Sequence, residues 1–250
     1  MAFLVQLCLT NPFILMKDRF RATRPPMHAG FRYIDEWIFD LDNTLYPASA
    51  RLFDLIDERM SNYVARLLDC DPTEARRVQK QYFRDHGTTL AGLMKHHSVD
   101  PHDFLDDVHD IPLERVGRDE RLADALTRLP GRKFVFTNGN EAYASRVLKA
   151  IGIDHHFHGL VDIHACSYLP KPDAHGYRLL IDRFGIDPSR AALVEDMAKN
   201  LKPAKALGMT TIWLDNGSDH GDHDADPECI DHVIDDLADW LHFILEEPVS

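Results

Sequence analysis

Long apolar runs, closely spaced cysteine pairs and an excess of positive charge are all missing from this sequence of 250 residues. No apolar run reaches the roughly 20 residues that a membrane-spanning helix requires, so we expect no membrane domain. The four cysteines form no Cys-x-x-Cys pair, which argues against a disulfide scaffold or a zinc site and predicts a reducing, cytoplasmic location. Internal repeats and low-complexity tracts are also missing.

Negative charge dominates the composition. The chain has 41 acidic and 28 basic residues, for a formal net charge of −13. A nucleic-acid surface needs a basic stripe that neutralises phosphates, so we expect no nucleic-acid partner. A small phosphorylated metabolite is compatible as a partner, because a metal ion and one or two lysines can make a site locally positive. The oligomeric state is not indicated by the sequence.

The chain alternates between strand and helix patterns, which is typical of a parallel α/β sheet. Residues 34–39 combine β-branched, aromatic and other apolar side chains, end in Trp-Ile-Phe, and predict a first buried strand. Later strands are predicted at residues 133–137, 160–164, 191–194, 210–214 and 232–234. Residues 48–118 have helical spacing instead, with a helix start at Asp71 and Glu74 expected to fold back on that cap. The sequence therefore predicts a core of residues 31–47 and 119–250, with an all-helical cap of residues 48–118 inserted after the first strand.

Residues 1–30 are predicted to be an N-terminal extension outside this core. The first 16 residues lack a basic start and a small-residue cleavage site, so a secretory signal is not expected. Residues 17–26 are basic and end in two prolines, and Met27 offers an alternative start shortly before the first strand. We expect residues 1–26 to be dispensable for folding and activity.

Two aspartates, Asp40 and Asp42, directly follow the first predicted strand. In an open α/β sheet, ligands bind at the carboxyl ends of the strands. Two carboxylates there can divide the chemistry between a nucleophile or metal ligand and a general acid and base. A solvated turn pair is the alternative, since aspartate is common in turns.

Three further polar groups occur near the ends of later predicted strands. They are Thr137 with Asn138, Lys171 in a Lys-Pro step, and Glu195 with Asp196. Each has an ordinary structural alternative: a helix-capping loop, a surface lysine before a proline, and a helix N-cap. Their order along successive strand ends favours one shared site.

Together these segments resemble the four motifs of the haloacid dehalogenase superfamily: Asp-x-Asp-x-Thr at residues 40–44, Thr-Asn at 137–138, Lys-Pro at 171–172 and Glu-Asp at 195–196. The resemblance covers about residues 33–245 and implies a Rossmann-like core that carries a cap after the first strand. Most members are phosphatases that form an aspartyl-phosphate. This chain departs from the family pattern at the acidic pair, which is Glu-Asp instead of Asp-Asp, and at Asn43, where many relatives have glycine.

The resemblance implies a role for each residue. Asp40 is the expected nucleophile, and Asp42 the general acid and base. Lys171 is expected to neutralise charge and, with Thr137 and Asn138, to bind the phosphate. Asp42 argues against a dehalogenase, because dehalogenases lack this acid and need no metal.

Mg²⁺ is the implied cofactor. The expected ligands are Asp40, the main-chain carbonyl of Asp42, and Asp196, with Glu195 acting through a water. This set suits Mg²⁺, a hard ion that takes oxygen ligands and keeps several waters.

The cap and its flanking motifs resemble the pyrimidine 5'-nucleotidase branch, in segments 39–47, 87–93 and 194–201. This implies hydrolysis of UMP, CMP or related nucleoside monophosphates, with four cap residues near the substrate: His86, Gly87, Thr88 and Thr89. A plain connection between two helices is the alternative for residues 87–89. Two other functions stay open: a phosphatase for phosphoglycolate, a sugar phosphate or a vitamin phosphate, and a binding or regulatory protein that lost turnover. The complete set of nucleophile, acid, lysine and metal ligands argues against the second.

Overall fold

The structure, a computed structural model, describes residues 27–218 and 221–246. Its strands are β1 (Glu36–Phe39), β2 (Arg132–Phe136), β3 (Gly159–Val161), β4 (Ala191–Glu195), β5 (Thr210–Leu214) and β6 (His232–Ile234). They form one parallel sheet in the order β3-β2-β1-β4-β5-β6. The predicted parallel α/β fold is confirmed.

Four α-helices lie within residues 48–118, the segment predicted as an insertion: α1 (Leu52–Leu68), α2 (Pro72–His86), α3 (Thr89–His97) and α4 (Pro101–His109). The other helices are α5 (Glu120–Arg128), α6 (Glu141–Ile151), α7 (Ala174–Phe184), α8 (Leu201–Ala206) and α9 (Leu237–Leu245). The bounds of a separate cap domain stay a prediction, because one hydrophobic cluster joins Leu90 and Phe104 of the inserted helices to Phe39 of β1. Within the described ranges, no helix has the length and apolar character of a bilayer span.

Alternate residues of a strand point to opposite faces of the sheet, and helices pack on both faces. Phe39 packs in one cluster with Leu241 of α9. Ile38 and Phe134 pack in the other with Tyr177 of α7. The strands are therefore apolar on both sides, which leaves their carboxyl ends as the place for polar chemistry.

Two local predictions need correction. The Asp71 side chain caps α2 as expected, but the Glu74 carboxylate binds Arg77 at 2.7 Å instead of folding back on the cap. The third strand is shorter than predicted, because the Asp162 side chain accepts a hydrogen bond from the Ala165 N–H at 2.9 Å and starts a turn.

The N-terminal boundary lies earlier than the sequence predicts. Met27, assigned above to the extension, is 1% exposed and packs in the core beside Phe31. The main-chain N–H of His28 donates to the carbonyl of Ile244 at 2.6 Å. The start of the described chain is therefore held on α9. The expectation that residues 1–26 are dispensable lies outside the described residues.

Candidate active site

The register of the parallel strands brings the motif residues together at one edge of the sheet. Phe39 pairs with Val135 of β2 on one side and with Val194 of β4 on the other. The next residue, Asp40, is therefore level with Glu195 at the end of β4. The strand order reverses at this point of the sheet, which is where open α/β sheets bind ligands.

The polar residues at the carboxyl edge of the sheet form the floor of the site: Asp40, Asp42, Lys171, Glu195 and Asp196. Lys171 lies at its centre. It is 3% exposed, and its Nζ donates to Asp40 Oδ1 and Glu195 Oε2, both at 2.6 Å. Burial acts to lower the pKa of this amine, but the two carboxylates outweigh burial and raise the pKa above its ordinary value. Lys171 is therefore a fixed positive charge between two acids, and the interpretation as a surface lysine is wrong.

The carboxylates beside Lys171 fit a magnesium site. Asp40, Glu195 and Asp196 are buried, and one oxygen atom of each lies within 4.8 Å of the others. Burial and then the charge of Asp40 raise the pKa of both Glu195 and Asp196. A divalent cation would relieve this crowding of negative charge, and an all-oxygen set of donors is what Mg²⁺ prefers.

The two residues of the acidic pair have different surroundings. Glu195 binds Lys171 through Oε2 and accepts a hydrogen bond from Asn200 Nδ2 at 3.0 Å through Oε1. Both oxygens are thus engaged, which agrees with a role through water. The Asp196 side chain caps no helix, because the following 3₁₀ turn begins after Met197 and has no side-chain cap.

Asp42 faces the site and is held by two tyrosines. The hydroxyls of Tyr46 and Tyr143 both donate to Asp42 Oδ1 at 2.7 Å. Burial and then the charge of Asp40 raise the pKa of Asp42 from 3.8 to about 6. A carboxyl group with this pKa can give and take a proton near neutral pH. Neither tyrosine was predicted from the sequence. Only Tyr46 lies close to Asp42 along the chain, four residues after it.

Thr137 and Asn138 lie beside the lysine. Thr137 is buried, and its Oγ1 accepts a hydrogen bond from the Gly139 N–H at 2.9 Å. Asn138 Oδ1 accepts one from the main-chain N–H of Lys171 at 2.8 Å. Neither residue caps α6, because Asn140 does so. Phosphate binding by Thr137 and Asn138 stays a prediction.

A cavity of about 210 Å³ opens above the floor, where Asp40, Asp42 and Lys171 line it. Inserted helices supply an apolar wall: Phe53, Ile56, Met60, Phe83, Leu90, Phe104 and Leu105. Five further polar lining residues were not predicted as site residues: Asp57, Gln79, Lys80, His109 and Lys199. The first four are single positions on helices, which carry no motif, and Lys199 lies within segment 194–201 without a predicted role.

The four predicted cap residues do not share one place. Gly87, Thr88 and Thr89 line the cavity. His86 is not among the lining residues, and its Nε2 lies 3.0 Å from Nε2 of His96. A contact of these four residues with the substrate stays a prediction. His86 is the last residue of α2, and the sequence does not show which way its side chain points, because this depends on how α2 packs on α3.

His109 joins the inserted helices to the floor. Its ring stacks on Tyr143 with 4.4 Å between ring centroids and 7° between ring planes. Burial lowers the pKa of His109 from 6.5 to about 3. The imidazole is therefore a neutral packing partner for the tyrosine that holds Asp42.

Two relatives of known name match part of the chain. The chain is 28% identical over 191 residues to "Phosphate metabolism protein 8" of Saccharomyces cerevisiae. The aligned region covers 69% of this chain and 59% of that protein. It is 33% identical over 95 residues to phosphoserine phosphatase of Thermus thermophilus, which covers 38% of each. The chain thus spans less than two thirds of the length of either relative.

Solved structures share the fold. The HAD phosphatase from Thermococcus onnurineus has a TM-score of 0.59 at 18% identity, over 86% of this chain and 100% of that one. A putative HAD hydrolase from Bacillus subtilis bound to magnesium has a TM-score of 0.56 at 13% identity, over 84% and 98%.

The family assignment comes from a sequence match. The family model described as haloacid dehalogenase-like hydrolase matches residues 37–208, a range that begins in β1 and includes all four motifs. This match confirms the predicted enzyme class at the level of a hydrolase of this family, and phosphatase activity stays a prediction. The chain belongs to the haloacid dehalogenase-like hydrolases.

Proposed function

We propose that this protein is a Mg²⁺-dependent phosphomonoester hydrolase that acts through an aspartyl-phosphate on pyrimidine nucleoside 5'-monophosphates, UMP and CMP. The observation that carries the chemistry is the Lys171 ammonium, 2.6 Å from both Asp40 and Glu195, with Asp196 beside them. This arrangement holds a positive charge against a carboxylate that faces a cavity, as phosphoryl transfer requires.

In the first half of the reaction, an Asp40 oxygen attacks phosphorus and the bond to the leaving oxygen breaks. Asp42 gives its proton to that oxygen, and its pKa of about 6 keeps a protonated fraction near neutral pH. Lys171, the Thr137 hydroxyl and the Asn138 main-chain N–H stabilise the charge on the transferring group.

In the second half, Asp42 takes a proton from the water that attacks the aspartyl-phosphate. Phosphate leaves, and Asp40 is restored as a carboxylate. Tyr46 and Tyr143 keep Asp42 oriented in both halves. Mg²⁺, held by Asp40, the Asp42 carbonyl and Asp196, would supply positive charge to the phosphoryl oxygens.

The apolar wall that the inserted helices supply, here called the cap wall, favours a substrate whose leaving group has a flat, apolar body. Phe53, Phe83 and Phe104 line the cavity, and aromatic side chains bind nucleobases by stacking. A small polar ester such as phosphoglycolate would leave this wall unfilled. The cap segment 87–93, which resembles pyrimidine nucleotidases, adds support for a pyrimidine.

The test is phosphate release from UMP, CMP, AMP, phosphoglycolate and p-nitrophenyl phosphate, with Mg²⁺ and with EDTA. We expect turnover that needs Mg²⁺ and prefers UMP or CMP. It should be lost in Asp40→Asn and kept in Asp69→Asn, the same change at an exposed helix end. Turnover of another ester alone would keep the mechanism and replace the substrate. No turnover on any ester would favour the binding or regulatory protein.

A further inference from the structure

Three lysines line the cavity, and they differ in their partners. Lys171 is bound in the acidic cluster, and Lys80 Nζ lies 2.7 Å from Asp57. Among the residues that the structure describes, Lys199 forms no salt bridge with a carboxylate. Asp224 and Glu195 act on its charge only from beyond ion-pair distance, so its ammonium has no direct carboxylate partner among the described residues.

The Lys199 ammonium is held by an aromatic ring. Nζ lies 4.7 Å from the centroid of the Phe83 ring, and both side chains are half-buried and line the cavity. Lys199 follows Asp196 by three residues in the core, whereas Phe83 belongs to α2. The ammonium therefore lies on the cap wall, where a leaving group would lie.

Among the described residues, Lys199 Nζ donates no hydrogen bond to a protein acceptor, although it contacts the Phe83 ring. A ring face attracts a cation but accepts no conventional hydrogen bond, and an ammonium has three donors. Burial lowers the pKa of Lys199, which indicates a charge that has lost part of its hydration. An acceptor oxygen on the substrate would replace the lost water.

We propose that Lys199, positioned by Phe83, recognises the base by donating a hydrogen bond to a ring carbonyl oxygen of the pyrimidine. The inference rests on the proposed nucleotidase function and assigns a residue to its specificity. Uracil and cytosine both have a carbonyl beside the glycosidic nitrogen, and adenine has none. A desolvated donor rejects a ligand that leaves it without an acceptor.

The experiment compares kcat/KM for UMP, CMP, AMP and phenyl phosphate in wild type, Lys199→Met, Lys199→Gln and Phe83→Leu. Phenyl phosphate has a flat leaving group without a carbonyl. We expect Lys199→Met to lower kcat/KM for UMP and CMP roughly 10- to 100-fold, mainly through KM, and to change AMP and phenyl phosphate less than about threefold. Lys149→Met, the same change at an exposed position of α6, is the matched control.

A second readout does not depend on turnover. In an Asp40→Asn background, calorimetric titration with UMP should show weaker binding when Lys199→Met is added, with unchanged binding of inorganic phosphate. Phe83→Leu should also weaken UMP binding, because it removes both the ring that positions Lys199 and part of the aromatic wall. Lys199→Gln keeps the test available if Lys199→Met does not fold, with a smaller expected loss because the amide can still donate a hydrogen bond.

The outcomes separate the inference from the proposed function. Wild type that prefers UMP, together with a Lys199→Met variant that keeps this preference in full, would overturn the inference alone. An equal loss for UMP and phenyl phosphate would assign Lys199 to the phosphoryl group and also overturn it. Wild type that hydrolyses phenyl phosphate but not UMP or CMP would overturn the substrate and, with it, the role of Lys199.

Discussion

Replacing His109 with phenylalanine should make the folded protein less sensitive to acid. His109 is 7% exposed and stacks on Tyr143 at 4.4 Å, and burial lowers its pKa from 6.5 to about 3. The folded protein therefore keeps this imidazole neutral at pH values where the unfolded chain binds a proton. Phenylalanine keeps a flat ring for the stack and removes the titrating group.

The magnitude follows from proton linkage. Because the pKa of His109 is lower in the folded state, its stabilising contribution is complete above about pH 6.5 and is lost as the pH falls towards about 3. In this window, the free energy of unfolding falls by about 1.4 kcal/mol per pH unit. From about pH 7.5 to about pH 5, wild type should therefore lose about 2 kcal/mol more than His109→Phe.

The assay is urea unfolding followed by circular dichroism at both pH values, in EDTA. Acidic residues with raised pKa values contribute equally to both proteins and cancel in the difference. His109→Gln should behave like His109→Phe in its pH dependence, and His175→Gln, at an exposed position of α7, serves as the control. Equal losses of stability in wild type and His109→Phe would refute the assignment of a neutral, buried imidazole.

Three other predictions concern the metal, the cap and the acid. Mg²⁺ at a hundredfold excess over its dissociation constant should raise the free energy of unfolding by roughly 2.7 kcal/mol; Asp196→Asn should remove this effect in the same urea titration, and an unchanged effect would locate the metal elsewhere. Gly92→Ala should destabilise the protein by about 1–3 kcal/mol despite the better helix propensity of alanine, because its Cβ would overlap the Tyr82 ring; an equal or higher melting temperature would contradict this. Tyr143→Phe should lower kcat roughly tenfold, because Asp42 loses one of two donors; Tyr33→Phe, at a 43% exposed position, is the control, and an unchanged kcat would show that Tyr46 alone suffices.

The floor of the site was predictable because its signals are local. Asp40 and Asp196 follow apolar runs that are buried on both faces, and such runs show where a parallel strand ends. The parallel register then brings both residues to the same sheet edge. Lys171 was found only by its order among the motifs, since its own Lys-Pro step also fits a surface position.

The walls of the site were not predictable in the same way. Tyr143 reaches Asp42 from a helix 101 residues away in sequence, and its spacing indicates only that it faces a core. Lys199 lies within segment 194–201 but was not predicted as a site residue, and only its contact with Phe83 places it on the cap wall. His86 shows the opposite case, because it directly precedes the cavity segment 87–89 but contacts His96 and is not among the lining residues.

Sequence alone was therefore sufficient for the α/β class, the helical insertion and the residues at the strand ends. Periodicity and turn residues report which face of an element is buried and where it stops, and parallel pairing fixes the rest of that geometry. Only the tertiary structure decided which side chains of the inserted helices line the cavity, which hydroxyls hold Asp42, and that Met27 belongs to the core. These contacts depend on how separate elements pack against each other, and no pattern within one element contains that information.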